Sequence, residues 1–191
     1  MAALYGDTHP YGRSITGTAA SVAPRPASRR LVTVAMMNKS QAEITYGFPS
    51  IARSDRSYFT FMLMNKVLGQ YALGGRIGDS IRERQGMAHS VWNSFDASTD
   101  DELQSLRRLG VTGREMAESR QYISGSMPRL LETSAGIAGS LQNADFFGLG
   151  LDYDRRLPIL IMMVTIDDVN AAAAALDPAH VTVVVAGPYQ P

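Results

Sequence analysis

The stretch from Asp55 to Leu68 constrains the fold of this chain more than any other feature. Most of its residues are apolar, and its few polar side chains form no continuous polar face. Asp55 is a suitable N-cap, and Gly69 is a suitable residue to end a helix. A helix that is apolar almost all round belongs in a core. The rest of the chain must therefore supply layers that cover this helix, and we attribute its methionines to core packing.

The remaining pattern predicts an α+β fold. Short apolar or alternating runs, bounded by turn residues, indicate strands at 31–37, 42–48, 88–95 and 181–186. Apolar residues at helical spacing indicate helices at about 100–109, 113–132, 134–147, 157–163 and 166–176. This order of elements predicts helices packed on one face of a mostly antiparallel sheet.

Local signals predict where several of these helices begin and end. Thr112 and Glu115 have the spacing of a capping box, and Thr165 with Asp168 is a weaker signal of the same kind. Pro128 is expected to kink its helix. The residues 151–156, LDYDRR, are expected to form a turn before the apolar helix at 157–163.

The ends of the chain and its charge balance limit the classes of function. Residues 1–30 look irregular, with a linker rich in Pro and Arg at 23–30, so we expect one domain over residues 31–191. Lys plus Arg and Asp plus Glu number 18 each, which argues against a nucleic-acid-binding protein. No apolar run is long enough to span a membrane, and no signal peptide is visible. We expect a cytoplasmic protein, or a periplasmic one if the N-terminus is incomplete.

The residues themselves offer no obvious metal site or nucleophile. The chain has no cysteine, and its histidines, His9, His89 and His180, lack the spacing of a helical zinc site. No G-x-S-x-G elbow is present. The glycine pair Gly74 and Gly75 lacks the phosphate-loop patterns and is interpreted as a tight turn. The charges around Arg82 are typical of a solvated helix face.

Short motifs in the centre of the chain nevertheless resemble a known family. The segment Leu73 to Val91 contains LGGRI, IRE and GMAHSV in that order. It resembles the pattern LGG…SRL…iRe..GlaYsv in the second half of the pitrilysin/insulinase-type zinc peptidases, the inverzincins, which include the mitochondrial processing peptidases. The resemblance covers about residues 31–188. Further segments that resemble the family pattern are 41–49, 55–69, 110–115, 134–153, 165–169 and 181–188.

This resemblance implies a division of labour between two halves. In the family, two homologous halves form a clamshell, and the first half carries H-x-x-E-H and a further glutamate for zinc. The second half binds no metal and supplies an Arg and a Tyr, seven residues apart, that contact substrate near the scissile bond. The matching positions are Arg82 and His89, so a histidine stands where the family has a tyrosine. Neutral histidine donates one hydrogen bond, as tyrosine does, but it titrates near pH ~6.5.

We therefore expect a non-catalytic, substrate-binding half of a zinc-dependent endopeptidase. The expected partners are a homologous zinc-bearing subunit or half and a peptide substrate, in a dimer, with no nucleic acid and no membrane. No cofactor is expected in this chain, because the resemblance implies that zinc lies in the partner half. A structural core-type subunit and an inactive fragment without a peptidase role are the alternatives that the sequence leaves open.

Two departures from the family pattern concern the continuity of the chain. Residues 4–22 resemble a piece of the first half, and the residues that should follow them are absent. A strand and the start of a helix are also missing near residues 98–101, where about 25 to 30 residues are expected from the resemblance. The chain is then either a degenerate paralogue or a sequence from which segments of a larger protein are omitted.

Overall fold

The computed structural model describes residues 25–38, 40, 42–49, 51–53, 55–69, 75–78, 80 and 97–188, with the backbone alone for 97–100. The described part contains helices, strands and one short 3-10 turn, at Pro178–His180. In chain order the strands and helices are β1 (Arg30–Ala35), β2 (Glu43–Gly47), α1 (Tyr58–Leu68), the single turn α2 (Arg76–Gly78), α3 (Ala97–Leu109), α4 (Gly113–Leu130), α5 (Ser134–Phe146), α6 (Tyr153–Met163), α7 (Ile166–Ala174) and β3 (Thr182–Gly187).

The described sheet is mixed, with strand order β1-β3-β2. The β1 strand runs parallel to β3, with Arg30 opposite Thr182, and β2 runs antiparallel to β3, with Glu43 opposite Ala186. The two strands that are neighbours in sequence, β1 and β2, are therefore separated by the last strand of the described chain. The α+β class is confirmed, but within this sheet one ladder is parallel and one antiparallel. A parallel pair requires a long crossover, which the helices between β1 and β3 provide.

The core forms where α1 packs against α4, α6, α7 and α3. As its composition predicts, α1 is central to this core, with Leu63 fully buried. The other buried side chains of α1 are Met64, Val67 and Leu68. Within the described residues, no single helix is long and apolar enough to cross a bilayer. Taken together, α6 and α7 have the length and the apolar composition of a membrane-spanning segment, but they are bent by 84° at their junction.

The two predicted capping boxes are confirmed. The Thr112 side chain accepts a hydrogen bond from the Glu115 backbone N–H, while the Glu115 carboxylate accepts one from the Thr112 N–H. Thr165 and Asp168 form the same reciprocal pair at the start of α7. Gly110, with φ of 71°, follows the last residue of α3 in a conformation that suits glycine.

Two local predictions differ from the structure. The first helix begins at Tyr58, because the Asp55 carboxylate accepts hydrogen bonds from the Ser57 backbone N–H and hydroxyl in a turn that precedes the helix. Most of the predicted turn at 151–156 is helical, since α6 already begins at Tyr153. Pro128 lies inside α4, two positions before its last residue, Leu130, and the predicted kink stays a prediction. The strand predicted at 88–95 lies outside the described residues.

Candidate functional site

The predicted substrate-binding residues Arg82 and His89 lie outside the described residues, so their roles stay predictions. The structure does describe the beginning of their segment, at residues 75–78 and Ser80. Ile77 is fully buried, and Ser80 is 7% exposed. This entrance to the segment is therefore part of the packed domain, and its contacts can be followed residue by residue.

A close approach of two glycines joins the entrance to the end of α1. Gly75 has φ of 91°, and a Cβ added there would lie 2.5 Å from the Gly69 Cα. A Cβ added at Gly69 would in turn lie 3.2 Å from the Ile77 Cβ. No side chain fits between the end of α1 and the start of α2. Gly75, which the sequence analysis interpreted as part of a tight turn, thus places α2 directly against the core helix.

Arg76 then fixes α2 to the start of α4. Its Nε lies 2.5 Å from Glu115 Oε1, and its Nη2 lies 2.9 Å from Glu115 Oε2, a bidentate pair. The same Nη2 also donates to the Gly110 carbonyl oxygen at 2.5 Å. The Arg76 side chain is 13% exposed and that of Glu115 is 24% exposed. A planar guanidinium that meets a carboxylate through two hydrogen bonds defines an orientation as well as an attraction.

The Glu115 carboxylate binds both the Arg76 side chain and the N-cap residue of α4, Thr112. Besides Arg76, its Oε2 accepts hydrogen bonds from the Thr112 backbone N–H and hydroxyl, each at 2.8 Å. Partial burial raises the pKa of Glu115, but the hydrogen bonds from Arg76 and Thr112 and the Arg76 charge outweigh it. The net pKa lies below its ordinary value of 4.5. The N-cap of α4 and the entrance to the Arg82 segment are therefore held by the same ionised group.

The sequence analysis missed this anchor because its partners are far apart in the chain. Arg76 and Glu115 are separated by 39 positions. The capping-box spacing already identified Glu115, and the arginine after the glycine pair was part of the family pattern. Neither signal says that the two side chains meet, since that contact depends on how α2 and α4 pack.

A second cluster that the sequence did not predict surrounds Arg53. Its guanidinium carbon lies 3.8 Å from the centre of the Tyr58 ring, and its Nη2 donates to the Tyr153 hydroxyl at 2.7 Å. Burial raises the pKa of Tyr153, although the Arg53 charge and hydrogen bond oppose the shift. Cation–π contacts of this kind are stabilising. The cluster joins the residues before α1 to the first turn of α6.

His180 has a structural partner. Its Nδ1 lies 2.9 Å from Asp177 Oδ2, and Arg107 Nη1 lies 3.1 Å from Asp177 Oδ1. Arg25 Nη2 lies 3.8 Å from Asp177 Oδ2. The hydrogen bond from the Ala179 backbone N–H and that of His180 hold the pKa of Asp177 below its usual range. This carboxylate thus ties the first described residues of the chain to the end of α3 and to the turn before β3.

The described residues do not fit a zinc site. No group of three or more His, Asp or Glu side chains in the described ranges is arranged to hold a metal ion, and the whole chain has no cysteine. Three or four such ligands are what protein zinc sites use. His180, the histidine that the structure describes, is engaged with Asp177. We therefore assign no chemical step in this chain to a metal.

Comparison with known families adds the context that the geometry lacks. The sequence model of a family described as "Peptidase M16 inactive domain" matches residues 14–118, which include Arg76, Arg82, His89 and Glu115. The chain is 26% identical, over 182 residues, to an uncharacterized zinc protease of Streptomyces coelicolor, and this match covers 80% of the chain and 39% of that protein.

Solved structures show the same fold. A peptidase M16 inactive domain from Pseudomonas fluorescens superposes with a TM-score of 0.69 at 22% identity, covering 86% of this chain and 44% of that one. A protease from Helicobacter pylori superposes with a TM-score of 0.71 at 13% identity, covering 86% and 45%. The predicted architecture of an inverzincin half is therefore confirmed at the level of the fold.

The extent of these matches bears on the continuity of the chain. The chain spans about four-tenths of the length of the curated relatives that it matches. The alignment with the Streptomyces protein is 182 positions long. It includes only 80% of the 191 residues of this chain, which is fewer residues than the alignment has positions. The relative thus has positions inside the matched stretch that this chain lacks, which agrees with the expected loss of a segment. In the chain as it stands, α3 runs without a break through residues 98–101.

Proposed function

The chain belongs to the peptidase M16 inactive-domain family, and from that premise we propose that it is the non-catalytic, substrate-binding half of a zinc-dependent endopeptidase of the pitrilysin/insulinase type. It acts in proteolysis only when paired with a homologous half that carries zinc. The division into residues 1–30 and 31–191, the dimer with that partner and the cytoplasmic location belong to the same proposal.

The observation that carries the proposal is the anchored entrance to the Arg82 segment inside the family match. Gly75 contacts the end of α1, Arg76 binds the start of α4, and Ile77 is buried. Arg82 follows only four residues after the helical turn that these contacts hold. A residue that orients a substrate needs a rigid support, because catalysis depends on fixed geometry.

Arg82 is proposed to hydrogen-bond the carbonyl oxygen of the bound peptide near the scissile bond. Arginine suits this task because it stays charged at any physiological pH and donates through a planar fork. A fixed positive charge also stabilises negative charge that develops on that oxygen. His89 is proposed to donate a second hydrogen bond to the peptide. The zinc-bearing half supplies the water that attacks the peptide bond, and no residue of this chain takes part in that step.

The test uses the complex of this chain with a zinc-bearing M16 homologue, purified together from the native cell. Arg82→Ala should lower the rate of peptide cleavage by roughly 100- to 1000-fold, the range seen when a donor to a developing oxyanion is removed. The complex should still assemble. Arg84→Ala, which removes another arginine of the same cluster, is the matched control and should leave the rate nearly unchanged.

Two results would contradict the proposal. One is equal activity of Arg82→Ala and the unaltered complex. The other is stoichiometric zinc binding and peptide cleavage by this chain alone after dialysis against a chelator and restoration of zinc. The first result leaves the partnership intact but removes the substrate-binding role, whereas the second removes the division of labour itself.

The histidine at position 89 favours a second candidate, a structural subunit. Such a subunit contacts no substrate, so the family tyrosine would be free to change. In that case Arg82→Ala and His89→Ala leave the cleavage rate of the complex unchanged, and the chain is needed only for assembly. Under the leading proposal His89→Ala lowers the rate, and His89→Tyr maintains it.

A further inference from the structure

The two predicted capping boxes differ in the acidic residue that completes them. At the start of α7 this residue is Asp168, whose Oδ2 accepts hydrogen bonds from the Thr165 backbone N–H at 2.8 Å and from the Thr165 hydroxyl at 2.7 Å. At the start of α4 it is Glu115, whose Oε2 accepts the same two bonds from Thr112. Aspartate is therefore long enough to complete a capping box in this fold. The cap alone does not require the additional methylene of Glu115.

That additional length lets Glu115 reach Arg76. The bidentate pair and the bond to the Gly110 carbonyl oxygen use the single hydrogen of Arg76 Nε and both hydrogens of Nη2. Among the described residues, Asp168 by contrast has Thr165 as its hydrogen-bond partner. The Arg76 side chain is therefore held in one orientation by acceptors inside the protein, and this side of its guanidinium is closed to a ligand.

The carbonyl group that accepts the third bond from Arg76 is itself fixed. A Cβ added at Gly110 would lie 2.8 Å from Asn170 Oδ1. The same oxygen accepts a hydrogen bond from the Val111 backbone N–H at 2.7 Å. Asn170 lies in α7, which packs against α1 and α3. Arg76 is thus bound to a junction between α3 and α4 that a third helix, α7, holds in place.

Only a short piece of chain separates Arg76 from Arg82. Ile77 is fully buried and Ser80 is 7% exposed, so both residues are packed into the domain. Arg82 follows Ser80 by two positions, which span at most about 7 Å. A change in how Arg76 is held therefore alters the direction in which the chain leaves the core, and few residues lie between that change and the proposed substrate-binding side chain.

We propose that Arg76 and Glu115 are positioning residues for Arg82. Their bidentate pair fixes the place from which the Arg82 side chain reaches the peptide, and neither residue touches the peptide itself. This inference rests on the proposed function and adds that the cleavage rate depends on the length and shape of these two side chains. The physical reason is that a shift of about 1 Å in catalytic geometry can lower a rate by roughly 100-fold.

The test exchanges the acidic residues of the two capping boxes in the complex co-purified with the zinc-bearing homologue. Glu115→Asp keeps the charge and the capping box, but it withdraws the carboxylate from Arg76 by about 1.5 Å, the length of one carbon–carbon bond. Its kcat and kcat/KM should fall equally, by roughly 10- to 100-fold, because contacts made in the transition state are weakened. Asp168→Glu is the matched control and should leave both values unchanged.

A second variant and a double variant separate positioning from a merely structural role. Arg76→Lys keeps the charge but loses the planar fork, so its kcat should fall in the same way. Each fall should disappear when the Arg82 guanidinium is absent. Glu115→Asp combined with Arg82→Ala should therefore cleave at the rate of Arg82→Ala alone, since a positioning residue acts only through the residue that it positions. A structural role predicts lower stability without this dependence on Arg82.

The outcomes distinguish the inference from the proposed function. A double variant whose loss is the product of the two single losses overturns the inference, and so do Glu115→Asp and Arg76→Lys complexes that both cleave at the unaltered rate. In either case the loss of rate in Arg82→Ala leaves the proposed function standing. If Arg82→Ala itself cleaves at the unaltered rate, the substrate-binding role of the proposed function fails, and the inference fails with it.

Discussion

The consecutive helices α4 and α5 differ in what they pack against, although both have a threonine N-cap. Thr112 caps α4 and Thr133 caps α5, each accepting a backbone hydrogen bond three residues later. The α4 helix buries Met116, Ser119 and Ile123, whereas α5 buries Ala144. Good local capping therefore accompanies two different kinds of helix. We interpret α4 as a support for the core and for the Arg82 segment, and α5 as a helix at the edge of the described part of the domain.

The largest expected difference between the two helices is in the cost of truncating a side chain. Met116 in α4 is 1% exposed, and Leu141 in α5 is 48% exposed. Met116→Ala should lower the free energy of unfolding by about 2–5 kcal/mol, because it leaves a cavity in the core. Leu141→Ala should lower it by less than ~1 kcal/mol in the chain alone.

Urea-induced unfolding of both variants at pH 7 measures this difference. Similar losses for Met116→Ala and Leu141→Ala would show that α5 belongs to the same cooperative core as α4.

The second prediction concerns the ion pair at the start of α4. Glu115→Gln removes the charge that Arg76 binds. The Arg76 side chain, at the entrance to the Arg82 segment, is only 13% exposed. We expect a loss of about 2 kcal/mol at pH 7, since a largely buried charge then lacks its partner. Glu118→Gln is the control on the same helix. Its partner Arg114 is 88% exposed, and such surface pairs contribute little.

The same pair gives a dependence on pH with a defined sign. The folded-state pKa of Glu115 lies below its ordinary value of 4.5, so its ionised form stabilises the fold above pH 4.5. That contribution is lost as the pH falls through the folded-state pKa. Unfolding free energies measured from pH 7 downward should therefore fall less steeply for Glu115→Gln than for the unaltered chain. Parallel curves for the two proteins would contradict the assignment of the shift to Glu115.

These contrasts also show what could be predicted from the sequence. The two capping boxes were predicted to the residue because a cap depends on side chains only three positions apart. The core position of α1 followed from its composition. The order β1-β3-β2 and the contact of Arg76 with Glu115 could not be predicted, because both join residues far apart in the chain. The resemblance to a family supplied Arg82 and His89, which the local pattern alone interpreted as a solvated face and a strand.

A third, smaller effect separates the two helices by their caps. Thr112→Ala should lower the global free energy of unfolding by about 1 kcal/mol, as losses of N-caps do. Thr133→Ala should weaken α5 by a similar amount, but with little change in global stability, because α5 opens as a local unit. Amide hydrogen exchange resolved by residue checks this, with faster exchange confined to α5. Faster exchange in α4 as well would join the two helices into one unit.

The smallest effect is a gain, and it tests the same local unit in the opposite direction. A Cβ added at Gly139 meets nothing within 4 Å, whereas one added at Gly136 would lie 1.7 Å from the Leu130 carbonyl oxygen. Gly139→Ala should therefore stabilise α5 by about 0.5–1 kcal/mol through helix propensity, and Gly136→Ala should destabilise it. Slower amide exchange in α5 for Gly139→Ala, with α4 unchanged, is the expected result.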